Sequence, residues 1–178
     1  KYRPAEIGMA LEDVDTPALL LDLDAFEFNI KLMAGFAKKF GINHRPHAKT
    51  HKSPVVAQKQ IAAGAVGQCC QKVAEAEILV AGGVSDVLVS NQIVGRRKLD
   101  RLAGLARNAN ISVCVDDKDN INQINAAAKR FNAKIDVLVE IDIGAGRCGV
   151  VPGKAAAELA QIIAKSSNLT FGGLQAYQ

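Results

Sequence analysis

The chain has 178 residues, of which 49% are hydrophobic, 22% charged and 4% aromatic. That is an ordinary globular composition with enough apolar residues for one sizeable core. The net charge of +4 is spread over scattered Lys and Arg, without the basic stripe and interleaved aromatics of a nucleic-acid binder.

No apolar run approaches the roughly 18 residues that a membrane span needs, and no signal peptide opens the sequence. Cys69, Cys70, Cys114 and Cys148 form no C-x-x-C pair, so they read as reduced thiols in a cytoplasmic protein. The chain starts at Lys1 and stops at Gln178 directly after a strand-like run. Both ends look cut, as in a fragment.

In chain order, "TPALLLDLD" (16–24) is an apolar run ending in a polar turn and predicts a strand. Asp24 is placed to cap the helix that follows over 25–40. "INHRPHAK" reads as a strand end, and Pro54 suits the first turn of a helix to about residue 63. A strand over 65–71 precedes a helix over 73–83 with a Gly stop. A strand over 86–91 precedes the helix "RRKLDRLAGLARNA". Strand 111–117 leads into a helix over 118–131, strand 134–142 into the helix "GKAAAELAQIIAKSS", and "LTFGGLQAY" (169–177) is the last strand.

Strands and helices alternating in this way imply βα units and a parallel sheet. The nearly continuous apolar character of the strands fits burial on both faces. Two architectures remain: a doubly wound open sheet, or part of a (β/α)8 barrel, which at this length would run out after about six units. In either, the C-terminal ends of the strands share the face where sites are built. Those ends carry His47 and Lys49, Gln71, Asn91, Asp116 and Asp117, Asp142 and Tyr177.

Two stretches carry chemistry. "HRPHAKTHK" (44–52) holds all three His of the chain. If the strand continues, His47, Lys49 and His51 face one side. A Lys between two His argues against a metal there. A Lys seated among cations in a barrel mouth suits Schiff-base chemistry, which needs the free amine, and a solvated basic loop is the plain alternative. "EIDIGAGRCGV" (140–150) places Gly144, Gly146 and Gly149 in a loop that can approach a ligand closely. The loop follows a late strand, so it is not taken as a dinucleotide fingerprint. Arg147 in that loop is a good partner for an anion or phenolate. Cys69 and Cys70 read as small buried hydrophobes. Glu75 and Glu77 read as helix-start carboxylates, and Asp116 and Asp117 as cap residues.

Together, "TPALLLDLDAFEFNI", "RPHAKTHK", "GQCCQKVAEAEILVAGGVSDVLVSNQ", "VCVDD", "VEIDIGAGRCGV" and "GGLQAYQ" resemble the D-threonine aldolase and D-3-hydroxyaspartate aldolase family of pyridoxal-phosphate (PLP) enzymes. D-serine dehydratase is a more distant likeness. The resemblance implies a parallel (β/α)8 TIM-type barrel of the alanine racemase N-terminal type, incomplete in this chain, so that residues 1–178 form only the first part of a PLP-binding barrel domain. It implies Lys49 as the Schiff-base Lys, with Lys52 its nearest rival, and Arg147 near the PLP phenolic oxygen. Tyr177 would lie against the pyridine, with His47 and Gln71 as weaker cofactor contacts.

The implied activity is metal-assisted retro-aldol cleavage of a D-β-hydroxy amino acid, such as D-3-hydroxyaspartate or D-threonine, to glycine and an aldehyde. Dehydration of D-serine or 3-hydroxyaspartate, or PLP carriage without turnover, are the alternatives. Mn2+ or Mg2+ is expected from the family with no ligand nameable in this chain, and a homodimer by analogy. The resemblance further implies that a polypeptide ending at Gln178 would bind PLP poorly and not turn over.

Overall fold

The computed structural model describes residue 3 and residues 5–178. Five strands, β1 (Gln68–Cys70), β2 (Asp86–Gln92), β3 (Asn110–Val115), β4 (Ile135–Asp142) and β5 (Leu169–Tyr177), form one sheet in the order β1-β2-β3-β4-β5. Every pairing is parallel. Among the described residues six α-helices accompany them, α1 (Leu23–Phe40) and α2 (Pro54–Ala62) ahead of β1, then α3 (Val73–Ala81), α4 (Arg96–Leu105), α5 (Lys118–Arg130) and α6 (Lys154–Lys165) alternating with the strands. A doubly wound sheet reverses its strand order at a switch point. Here sequence neighbours are always sheet neighbours, which is the winding of a barrel.

The strand sequences sort their side chains by this winding. Successive residues point to opposite faces. On β4, Ile135, Val137 and Val139 are fully buried toward the helices, as are Ile111, Val113 and Val115 on β3 and Val87 and Val89 on β2. Ile121, Ile124, Ala127 and Ala128 of α5, Leu99, Leu102 and Ala103 of α4 and Ile163 of α6 complete that core. Burying each large aliphatic contributes about 1.5–3 kcal/mol relative to leaving it in water. The opposite strand face carries a smaller cluster of Cys69, Leu88 and Cys114, backed by Leu138.

Local signals fix the helix ends. Asp117 caps α5 by accepting from the Asn120 N–H at 2.9 Å. Ser53 caps α2 ahead of Pro54 in its first turn, where the missing proline N–H costs nothing. Gly41 closes α1 in the left-handed conformation, φ 63°.

Three sequence expectations are corrected at the N-terminal side. Residues 16–22 form no strand, and the helix starts at Leu23, inside the predicted strand. The cap is Asp22, which accepts from the Ala25 N–H at 2.8 Å, rather than Asp24. A run such as Leu19-Leu20-Leu21 has no period of its own, and a capping Asp just after it decides for the helix. The "INHRPHAK" segment makes a single parallel bridge, His47 to Cys69, beside β1. It then turns, with the Lys52 N–H donating to the Ala48 carbonyl at 2.7 Å.

Candidate cofactor site

The turn after His47 separates residues that alternation would have aligned. His47 and Lys49 stay at one cavity of about 280 Å³, together with Arg45, Cys69, Gln71, Leu88, Ser90, Asn91, Arg147, Gln175 and Tyr177. His51 does not reach it. Its Nδ1 accepts from the Ser53 N–H at 3.0 Å, and its Nε2 is buried without a hydrogen-bond partner. Lys52, the rival lysine, lies outside the cavity as well. All five residues singled out for a cofactor (Lys49, Arg147, Tyr177, His47 and Gln71) therefore converge on one space.

That convergence requires a curled sheet. The His47 segment and β5 stand at opposite ends of six strand positions, about 24 Å apart in a flat sheet at ~4.8 Å per strand. Both line the same cavity, so the strands wrap around it. The cavity is the concave face of the sheet at its C-terminal end.

Hydrogen bonds assign the state of His47. Its Nδ1 accepts the Lys49 backbone N–H at 3.2 Å, and its Nε2 lies 3.4 Å from Ser90 Oγ, which itself donates to the Cys70 carbonyl at 3.3 Å. Ser90 therefore accepts from a protonated Nε2, and the ring is the neutral tautomer with both nitrogens engaged. Burial, and then the charge of Lys49, hold its pKa below the ordinary histidine value, with Glu75 opposing. His47 is suited to fixing the turn that carries Lys49. Glu75 adds a brace by accepting the Gln71 N–H at 2.9 Å.

Ser90 and Asn91 owe their places to an irregularity. The β2–β3 register runs evenly to Val89–Val113 and resumes at Gln92–Cys114, leaving residues 90 and 91 as an insertion. Such bulges re-aim side chains beside sites. Ser90 turns to His47, Asn91 donates to the Gln71 carbonyl at 3.1 Å, and Gln92 reaches Glu140.

The glycine loop after β4 is built around Arg147. Asp142 accepts from the N–H groups of Gly144 and Gly146, which hold its carboxyl below the usual range. Asp116 accepts from the Gly149 N–H at 3.0 Å, and Val150 bridges back to β4. Gly149 has φ +106°, and a Cβ there would lie 2.6 Å from the Ile141 carbonyl carbon. No other residue fits that approach. Arg147 is thereby set with its guanidinium 4.1 Å above the centroid of the Tyr177 ring, a cation–π stack.

A cavity lined by Lys49, Arg45 and Arg147 suits an anionic ligand, and an exposed Lys49 amine beside a neutral His suits an aldehyde. This donor set fits PLP. The three buried cysteines do not compete as nucleophiles: burial raises the Cys69 and Cys114 thiols and pushes Cys70 up to about 12. Among the described residues, no cluster of three or more His, Cys, Asp or Glu is placed to hold a metal. No helix among them is long and apolar enough to cross a membrane. Sequence reasoning missed Arg45, Ser90, Gln92, Glu140 and Gln175. For Glu140 a signal existed: a charge inside the apolar run "VLVEID".

Residues 21–178 match the family described as alanine racemase, N-terminal domain. The chain belongs to this alanine racemase N-terminal domain family. It is 49% identical over 177 residues to a 3-hydroxy-D-aspartate aldolase of Paracoccus denitrificans, covering 98% of this chain and 46% of the relative. The crystal structure of D-threonine aldolase from Filomicrobium marinum superposes with a TM-score of 0.96 at 53% identity, over 98% of this chain and 47% of that one. A D-threo-3-hydroxyaspartate dehydratase of Delftia sp. (strain HT23) is 34% identical over 137 residues, covering 77% of this chain and 36% of the relative. The chain spans about half the length of the relatives it matches most fully. The family assignment agrees with the barrel-type winding of the sheet.

Proposed function

We propose that this chain supplies the lysine side of the cofactor site of a PLP-dependent, divalent-metal-assisted aldolase. The enzyme cleaves a D-β-hydroxy amino acid, D-3-hydroxyaspartate or D-threonine, to glycine and an aldehyde. The observation that carries this reading is the meeting of Lys49, His47, Gln71, Arg147 and Tyr177 at one concave cavity, in a chain 49% identical to a 3-hydroxy-D-aspartate aldolase.

When bound, PLP supplies the electron sink that a breaking Cα–Cβ bond requires. The chain's own residues prepare for it. Lys49 presents the amine that anchors an aldehyde. Neutral His47 holds the Lys49 backbone through Nδ1 without adding a second charge beside the amine. Arg147, steadied on Tyr177, would hold an anionic oxygen of the bound group with a fixed guanidinium, which would favour charge there without reorganisation. The metal belongs to the proposal by family. The residues described offer no ligand set for it, and no step is assigned to it. A homodimer in the cytoplasm is part of the same proposal.

A second reading is supported by the dehydratase relative at 34% identity: the same site would expel the β-hydroxyl and release ammonia and a 2-oxo acid. The deciding experiment supplies the purified full-length protein with PLP and Mn2+ or Mg2+, then with D-threonine or 3-hydroxyaspartate, and assays the products. Glycine with a matching aldehyde is the expected outcome. Ammonia with a 2-oxo acid would move the assignment to the dehydratase. Lys49→Ala should lose both turnover and the borohydride-fixed cofactor, and retention of both would overturn the assignment of Lys49.

A further inference from the structure

Glu140 is 2% exposed on the concave side of β4. A buried carboxylate is costly unless it is paired and hydrogen-bonded. Glu140 has both kinds of partner, and they are unequal. Gln92 Nε2 donates to its Oε2 at 2.6 Å, while Arg147 Nη2 lies 3.9 Å from its Oε1. The backbone of Glu140 also accepts the Val150 N–H at 2.9 Å, which closes the loop carrying Arg147. Arg147 is thus held between a buried anion and the face of Tyr177. The Gln92 that locks Glu140 reaches it only because β2 resumes its register after the insertion at residues 90 and 91.

We infer that Glu140 is a positioning residue for Arg147: its charge orients the guanidinium over Tyr177 and tempers the positive field that Arg147 presents to an anionic ring oxygen in the cavity, while Gln92 limits how much of that charge Arg147 receives. The inference rests on the proposal that the cavity takes PLP. The ionisable groups facing Glu140 are Arg147 and, from β3, Cys114, whose thiol is raised by burial and then by the Glu140 charge. Those facing Arg147 are Glu140 and Tyr177, with Arg45, His47 and Lys49 on the far wall of the cavity. Of these, Glu140 is the buried anion, so its removal has a definite sign. The field at the cofactor oxygen becomes more positive, and the deprotonated form is favoured.

The test is a pH titration of the visible absorption band of PLP bound to the purified full-length protein, for wild type, E140Q, E140D and Q92L. E140Q keeps the volume and loses the charge. Its midpoint should move to lower pH by on the order of one unit. E140D keeps the charge and should stay within a few tenths of a unit of wild type. Q92L removes the competing donor, leaves the Glu140 charge to Arg147, and should move the midpoint upward by a smaller amount. An unmoved midpoint in E140Q, whatever its thermal stability, would overturn the inference, because a merely structural role changes stability alone. If E140Q does not fold, Q92L decides on its own: an upward shift supports the inference and an unmoved midpoint overturns it. The wild-type arm reports separately on the underlying reading. A wild-type protein with no band and no borohydride-fixed cofactor at Lys49 overturns the PLP proposal, and the inference falls with it.

Discussion

Helices α1 and α5 are both amphipathic by sequence, and the molecule treats them differently. α5 buries Asn120, Ile121, Ile124, Ala127 and Ala128 along one face and leaves charged and amide side chains outside. α1, the longest helix at 18 residues, buries Ala37 alone. Its Phe26, Ile30 and Met33 look into a second cavity of about 670 Å³ above His44 and Pro46. Phe28, Leu32, Phe36 and Phe40 run down the other side, each about half to two-thirds exposed. One apolar face against a sheet makes a finished surface helix. Two apolar faces make a helix whose surroundings must cover both. The β1–β5 sheet with α3–α6 is therefore the packed region of this chain, and the segment from Leu19 through α1 is its lightly packed one.

Core deletions should expose that difference most strongly. Ile124→Ala removes a fully buried side chain from the sheet–helix core and should cost about 2–5 kcal/mol. Phe36→Ala, on the outer stripe of α1, removes a larger side chain that is 49% exposed, and should cost under ~1 kcal/mol. Urea midpoints of the two variants measure the contrast directly. Equal losses would mean that α1 is packed as firmly as α5 and would break the comparison.

The same division explains what can be read from the sequence. The elements of the packed region, β2 through α6, lie within a few residues of their predicted bounds, because Gly stops, Asp117 and the strand–helix alternation all agree there. Residues 16–24 read wrongly as a strand because an apolar triplet has no period and its neighbours in the fold are not visible in the sequence. The five cofactor candidates are legible as polar residues at strand ends. Their supports are not. Ser90 and Gln92 depend on the insertion in β2, and the approach of Tyr177 to Arg147 depends on the loop fold and on sheet curvature. Neither is written in local composition. The alternation of His47, Lys49 and His51 fails for a definite reason: a hydrogen-bonded turn intervenes at Ala48–Lys52.

Glycines offer a finer comparison of the two regions. Gly41, which ends α1, has φ +63°, and a Cβ added there would meet nothing within 4 Å, whereas one added at Gly149 would meet the backbone of Ile141 and Asp142 within 2.7 Å. Gly41→Ala should cost about 1 kcal/mol of backbone strain alone. Gly149→Ala adds a backbone clash and should cost about 1–3 kcal/mol. It should also displace Arg147, so PLP affinity should fall in Gly149→Ala and stay unchanged in Gly41→Ala. Denaturant midpoints and a cofactor titration separate the two effects.

His47 and His51, in the segment between α1 and α2, give the smallest expected effect. Burial is the leading cause that lowers both pKa values below the ordinary 6.5, with the Lys49 charge adding to it at His47 and the Ser53 N–H opposing it at His51. The unfolded chain, with histidines of ordinary pKa, then binds more protons than the native state as pH falls past about 6.5. Stability rises with pH wherever the unfolded state holds more protons. The contribution is therefore complete above that value and is lost as pH drops toward the lowered native pKa values, below which it stays flat. Urea midpoints between pH 7.5 and 5.0 should fall on this account, and the slope should be reduced in His51→Asn, which leaves the cavity untouched. A wild-type curve as flat as the variant's would mean that both rings are open to water.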